Sequence, residues 1–119
     1  MQLYSKTGKI TISQSESVKL KLIVYQNKAV YQPRASDKFI LTVRTSPSRN
    51  SKAVISLNVL GNPQDSFVEF IIGSALSQTL SAGRYYYDIW LEREGARFPL
   101  TEVCVFDCKA SLVERSDSV

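Results

Sequence analysis

The stretch Gly83-Arg84-Tyr85-Tyr86-Tyr87-Asp88-Ile89-Trp90-Leu91-Glu92 decides the fold. Read as an extended chain, it places Tyr85, Tyr87, Ile89 and Leu91 on one side and Tyr86, Asp88, Trp90 and Glu92 on the other. A period of two is the mark of a half-buried strand. The expectation is that the odd-numbered side chains fill an interior while their even-numbered neighbours look outside.

The same pattern recurs on both sides of it, in short runs bounded by Gly, Pro, Asn, Asp or Ser. Lys9 to Ser13 reads as a short first strand. Val18 to Tyr25 sets Val18, Leu20, Leu22 and Val24 against Lys19 and Lys21, and is expected to be a central core strand. Lys38 to Arg44 sends Phe39, Leu41 and Val43 inward against Lys38, Ile40, Thr42 and Arg44. After a polar turn at Pro47 to Lys52, Ala53 to Leu60 sends Ile55, Leu57 and Val59 inward. Gly61-Asn62-Pro63-Gln64-Asp65 then predicts a hairpin back into Ser66 to Ile72, a run so apolar that alternation leaves its facing open. Ser74 to Leu80 changes period: Leu76 and Leu80 are four apart, Ser74 is placed to cap, and Gly83 follows, so one helical turn is expected. A tight turn at Glu94-Gly95-Ala96 leads through Arg97 to Glu102 into a last strand over Val103 to Val113, before a polar tail from Glu114 to Val119.

All five glycines, at 8, 61, 73, 83 and 95, fall at the edges of these runs. Turn chemistry and alternation therefore agree. About seven short strands in 119 residues predict one all-β domain of two packed antiparallel sheets spanning 1–119. Hydrophobic residues at 44% with 22% charged suit a globular chain rather than a disordered one. There is no apolar run of the roughly 18 residues that a membrane span needs, and the start, Met1-Gln2-Leu3-Tyr4-Ser5-Lys6, lacks the apolar stretch of a signal peptide. The expected setting is a cytosol, with no membrane partner, until the protein is assembled.

Chemistry is conspicuous by what is missing. The chain has no histidine, which removes the usual general base and metal ligand and every Ser-His or Cys-His pair. Asp88 and Glu92 share a strand face, but four residues of strand set them ~13 Å apart, beyond the ~5 to 9.5 Å used in glycoside hydrolysis. They read as a solvated face. No two glycines come closer than ten residues, so no phosphate-cradling loop exists. Cys104 and Cys108 are also ~13 Å apart in an extended strand, past the ~7 Å disulfide limit. They read as reduced, inward-facing thiols, and two ligands alone are a weak case for zinc. No cofactor, metal or catalytic residue is expected.

The net charge of +4 is unevenly spread: residues 1–52 carry about +8 and residues 53–119 about −4. Such a split suggests nucleic acid or head-to-tail pairing of copies, unless interleaved strands blur it in space. Lys19, Lys21, Lys38 and Arg44 are the candidates for a basic face, although that stretch lacks the interleaved aromatics of a single-strand platform, which makes nucleic acid the weaker partner. Tyr86 and Trp90 stand out as large aromatics facing away from the core. Either a loop or the helical turn covers them, or they anchor a protein interface, or they form a flat platform for sugar rings. Ile40 extends the patch if its strand is adjacent.

The segment Leu80-Ser81-Ala82-Gly83-Arg84-Tyr85-Tyr86-Tyr87-Asp88-Ile89-Trp90-Leu91, followed by Leu100-Thr101-Glu102 and Phe106-Asp107-Cys108, resembles the small immunoglobulin-like domains of tailed-bacteriophage virion proteins. Such domains stand at the start of upper baseplate and tail-fibre-attachment proteins. There a helical turn ending in Leu leads through Gly into a G-x-Y-x-Y-D-hydrophobic-x-L strand and a hairpin to the closing strand. The resemblance implies an immunoglobulin-like sandwich and a structural, non-catalytic virion protein, homo-oligomeric in the particle and contacting other virion proteins. Two departures matter. Val105 stands where Gly is usual before Phe106, and the chain stops where relatives often continue into a receptor-binding portion, which favours a head decoration, neck or baseplate subunit. The alternative function is a carbohydrate-binding module using Tyr86 and Trp90 on host surface glycans.

Overall fold

The computed structural model describes the backbone of residues 3–5 and all of residues 8–110. In chain order the elements are β1 (Leu3–Ser5), β2 (Ile10–Ser13), β3 (Val18–Leu22), β4 (Val24–Gln26), β5 (Ala29–Val30), β6 (Lys38–Arg44), β7 (Ala53–Leu60), β8 (Val68–Ile72), α1 (Ser74–Ser77), β9 (Gly83–Arg93), β10 (Ala96–Pro99) and β11 (Cys104–Lys109). The last predicted strand ends at Lys109; its residues 111–113 and the tail 114–119 lie outside the described residues.

The aromatic stretch from Gly83 is β9, and it organises the larger sheet. One edge pairs antiparallel with β6, and the other with β10 and then β11. The sheet runs β2-β11-β9-β6-β7, with β2 joining β11 in parallel. A second sheet pairs β3 with β8, and a third, small one runs β1-β4-β5. Phe39, Leu41, Val43, Ile55, Tyr87, Ile89, Leu91 and Phe106 from the large sheet bury themselves in one cluster with Leu22, Val68, Phe70 and Ile72 from the β3-β8 pair. Sheets that share one core are packed face to face, which makes the molecule a β-sandwich.

The strand order makes the sandwich immunoglobulin-like. The β3-β8 pair takes the place of strands B and E, and β6, β9 and β11 that of C, F and G, with β7 as an added C′ strand. A second mark sits at the entry to β9: Tyr85 donates its hydroxyl to the Ser81 carbonyl, 2.8 Å away. This is the tyrosine corner of such sandwiches, a ring at the start of F tied back to the preceding connection.

Alternation locates the strands well and the pairing less well. Residues 61–65 do turn the chain, but into the other sheet: β7 pairs with β6, and β8 with β3. The expected hairpin is therefore an arch between layers. The β6-β7 hairpin closes instead over the polar turn before Ala53. Val18 to Tyr25 is broken at Ile23 into β3, half of a two-stranded pair, and β4, the middle of the small sheet, so it is not one continuous central strand although Leu22 and Val24 are buried. The facing of β8 is resolved with Val68, Phe70 and Ile72 inward and Ile71 outward, 54% exposed. Between β10 and β11 two extra residues bulge, because Pro99 faces Trp90 whereas Cys104 faces Tyr87. With the split at Ile23, and with β1 and β5 as two short strands that alternation does not pick out, the described residues form eleven strand segments.

Turns behave as their residues require. Glu94 and Gly95 both have positive φ and form the two-residue turn that favours this geometry, so β9 runs directly into β10. Gly61 sits where a side-chain carbon would overlap the carbonyl of Arg34. The helical turn is capped at Gly73 and not by the Ser74 side chain. Buried Ser77 does the holding: its Oγ lies 2.9 Å from the carbonyl of Glu16, joining α1 to the β2-β3 turn.

Candidate interaction surface

The outer face of the large sheet is built from the even-numbered residues of β9 and their cross-strand neighbours. Thr42 lies across from Asp88, Ile40 and Pro99 from Trp90, Arg44 from Tyr86, and Arg97 and Lys38 from Glu92. Parity holds inside: Tyr87, Ile89 and Leu91 are buried. Outside it brings a correction, because Asp88 is not solvated but fully buried.

What covers Asp88 explains the burial. Its Oδ1 accepts from Arg44 Nη1 at 2.8 Å, and its Oδ2 accepts from Arg49 Nε at 2.9 Å and from the Trp90 indole N–H at 3.0 Å. A buried carboxylate is costly unless it is paired and hydrogen-bonded, and here three charge-assisted bonds supply the pairing. Burial on its own pushes the pKa of Asp88 up, but the hydrogen bonds from Trp90, Arg44 and Arg49 outweigh it and hold the carboxyl below the usual range.

Arg49 comes from the turn between β6 and β7. Its guanidinium lies 5.1 Å from the centre of the Trp90 ring, in cation-π range, and its Nη2 reaches the Thr101 carbonyl at 3.5 Å. Thr101, from the bulge after β10, accepts the Ile89 backbone N–H through its hydroxyl at 3.1 Å. The aromatic and its arginine lid are thus fastened from three elements. Between them lies a shallow pocket of about 200 Å³ lined by Ile40, Thr42, Arg44, Arg49, Trp90 and Arg97.

The structure therefore brings Tyr86, Trp90 and Ile40 onto one face, all half-buried. It does not assemble the four basic candidates. Lys19 and Lys21 point outward from β3 in the smaller sheet, with Lys21 Nζ 4.1 Å from the Phe67 ring centre, whereas Lys38 and Arg44 belong to β6. Arg44 is in any case committed to Asp88. The charge split of the sequence blurs likewise: Lys9–Asp107, Arg44–Asp88 and Arg49–Asp88 each join a cation of the first half to an anion of the second. Arg49, Arg97 and Thr101 were not anticipated. The available signal was Asp88 itself, an acid in the middle of an aromatic strand, where Asp is disfavoured.

Both cysteines lie on the inward parity of β11 and neither is in a disulfide, and burial pushes the Cys108 thiol up. Among the described residues no group of three or more His, Cys, Asp or Glu side chains is arranged to hold a metal ion.

No protein-family description matches the sequence. No curated protein matches it either. Among solved structures the chain is similar to the fibronectin(III)-like modules of Clostridium thermocellum CbhA, at 11% identity over 92% of this chain and 99% of that one, with a TM-score of 0.48. The immunoglobulin-like assignment rests on the strand order and the shared core.

Proposed function

We propose that this protein is a non-catalytic structural component of a bacteriophage particle, acting through protein-protein contacts made by the outer face of its large sheet. The observation that carries the reading is the Trp90-Arg49-Asp88 cluster. Trp, Tyr and Arg are the residues that concentrate binding energy at interfaces, and a cluster locked by hydrogen bonds before binding loses little side-chain freedom on contact. The phage setting is supported by the resemblance of residues 80–108 to virion immunoglobulin-like domains. A homo-oligomeric role as a baseplate, tail, neck or head-decoration component is part of the same reading.

The glycan reading draws less support, because stacking a sugar ring needs an open aromatic face and the guanidinium of Arg49 lies over Trp90. Mass spectrometry of purified particles, together with light scattering on the isolated protein, tests the proposal. Presence in the particle at a fixed stoichiometry is expected; absence from particles contradicts it.

A further inference from the structure

The pocket beside Trp90 carries an imbalance of donors over acceptors. Three guanidinium groups surround it, and each offers five N–H donors. Arg44 spends one nitrogen on Asp88, Arg97 spends Nε on Glu92 at 3.2 Å, and Arg49 spends Nε on Asp88 and Nη2 on Thr101. Asp88 takes three donors on its two oxygens and is fully buried, so it offers the pocket no exposed acceptor. The remaining guanidinium edges belong to side chains that are 18% exposed for Arg44, 44% for Arg49 and 66% for Arg97. Ile40 and the Trp90 ring supply apolar walls.

We infer that this pocket recognises a carboxylate side chain on an acidic segment of a partner protein, with Arg97 and Arg49 as the primary donors and Trp90 as the wall against which the segment packs. The inference rests on the assembly reading above and adds the chemistry of the partner. Charge complementarity selects an acid, because surplus guanidinium forks match carboxylates in bidentate geometry. Asp88 prepares the site without occupying it: it neutralises the cost of bringing Arg44 and Arg49 together and leaves their outer edges facing the pocket.

The molecule provides its own reporter, since Trp90 is the sole tryptophan of the chain. Its fluorescence is titrated with a glutamate-rich peptide, with the same peptide carrying glutamine for glutamate, and with inorganic phosphate. The glutamate peptide is expected to shift the emission saturably and the glutamine peptide not at all, with binding weakened by added salt. Arg97→Glu, at an exposed β10 position, is expected to weaken binding about tenfold or more, the worth of one hydrogen bond to a charged group. Arg97→Gln is the milder companion, and Lys19→Ala on the other sheet should leave binding unchanged. An equal response to the glutamine peptide or to phosphate overturns the inference, as does undiminished binding by the Arg97 variants. Either failure leaves particle membership intact, which mass spectrometry judges separately.

Discussion

Asp37 and Asp88 are both fully buried carboxylates held by arginine, yet they do different work. Asp37 accepts from Arg93 Nε at 2.8 Å, from the Tyr31 hydroxyl at 2.6 Å and from the Arg34 backbone at 3.0 Å, while its own carbonyl takes the Gly61 N–H at 2.9 Å. Arg93 is only 9% exposed, so the whole group is sealed and staples the loop before β6 to the ends of β7 and β9. Asp88 is sealed by side chains that themselves reach solvent. The same ion-pair chemistry is a staple in one place and the foundation of a surface in the other, and the exposure of the arginine decides which.

The largest expected effect separates the two directly. Asp37→Ala leaves Arg93 charged and without its carboxylate in the interior, and should cost about 3–5 kcal/mol, read as a fall in the urea midpoint. Asp88→Ala should cost less, about 1–3 kcal/mol, because Arg44 and Arg49 can turn to water while the Trp90 N–H loses its acceptor. Equal losses would erase the distinction.

A pH titration sharpens it. Since the folded Asp88 carboxyl is held below its ordinary range, its contribution is complete above the unfolded carboxylate's titration and disappears as pH falls through the folded value. Asp88→Asn should therefore flatten the acid limb of the stability profile relative to wild type and lie closest to it at the lowest pH. An unchanged acid limb would contradict the pairing. The smallest effect is expected for Arg49→Ala: about 1 kcal/mol of stability, because the buried Asp88 keeps its bonds from Arg44 and Trp90, yet a clear change in Trp90 emission. A large stability loss there would make Arg49 another staple.

These contrasts also show what a sequence can carry. The bounds of β6 and β7 and the inward set of β9 were legible because alternation is local, needing only a few neighbouring residues. The destination of the chain after residues 61–65 was not, because turn residues specify a change of direction and not the strand met afterwards. The burial of Asp88 was invisible for a related reason: its arginine partners are 44 and 39 residues away, so its environment exists only after β6 has docked beside β9. Tyr86, Trp90 and Ile40 could be proposed as a patch from parity alone, whereas the arginine lid that gives the patch its charge lies on a turn that parity does not describe. Lys19 and Lys21 joined Lys38 and Arg44 in one basic set only because sequence order hides which sheet a strand enters.

The most direct test of the account is hydroxyl-radical footprinting of the protein free and in its assembled state, read at Trp90, Tyr86 and Ile71. Burial of the large sheet's outer face predicts that labelling of Trp90 and Tyr86 falls on assembly while Ile71, outward on β8, keeps its free-state labelling. Unchanged labelling of Trp90 with protection of Ile71 would place the contact on the opposite sheet and contradict the claim.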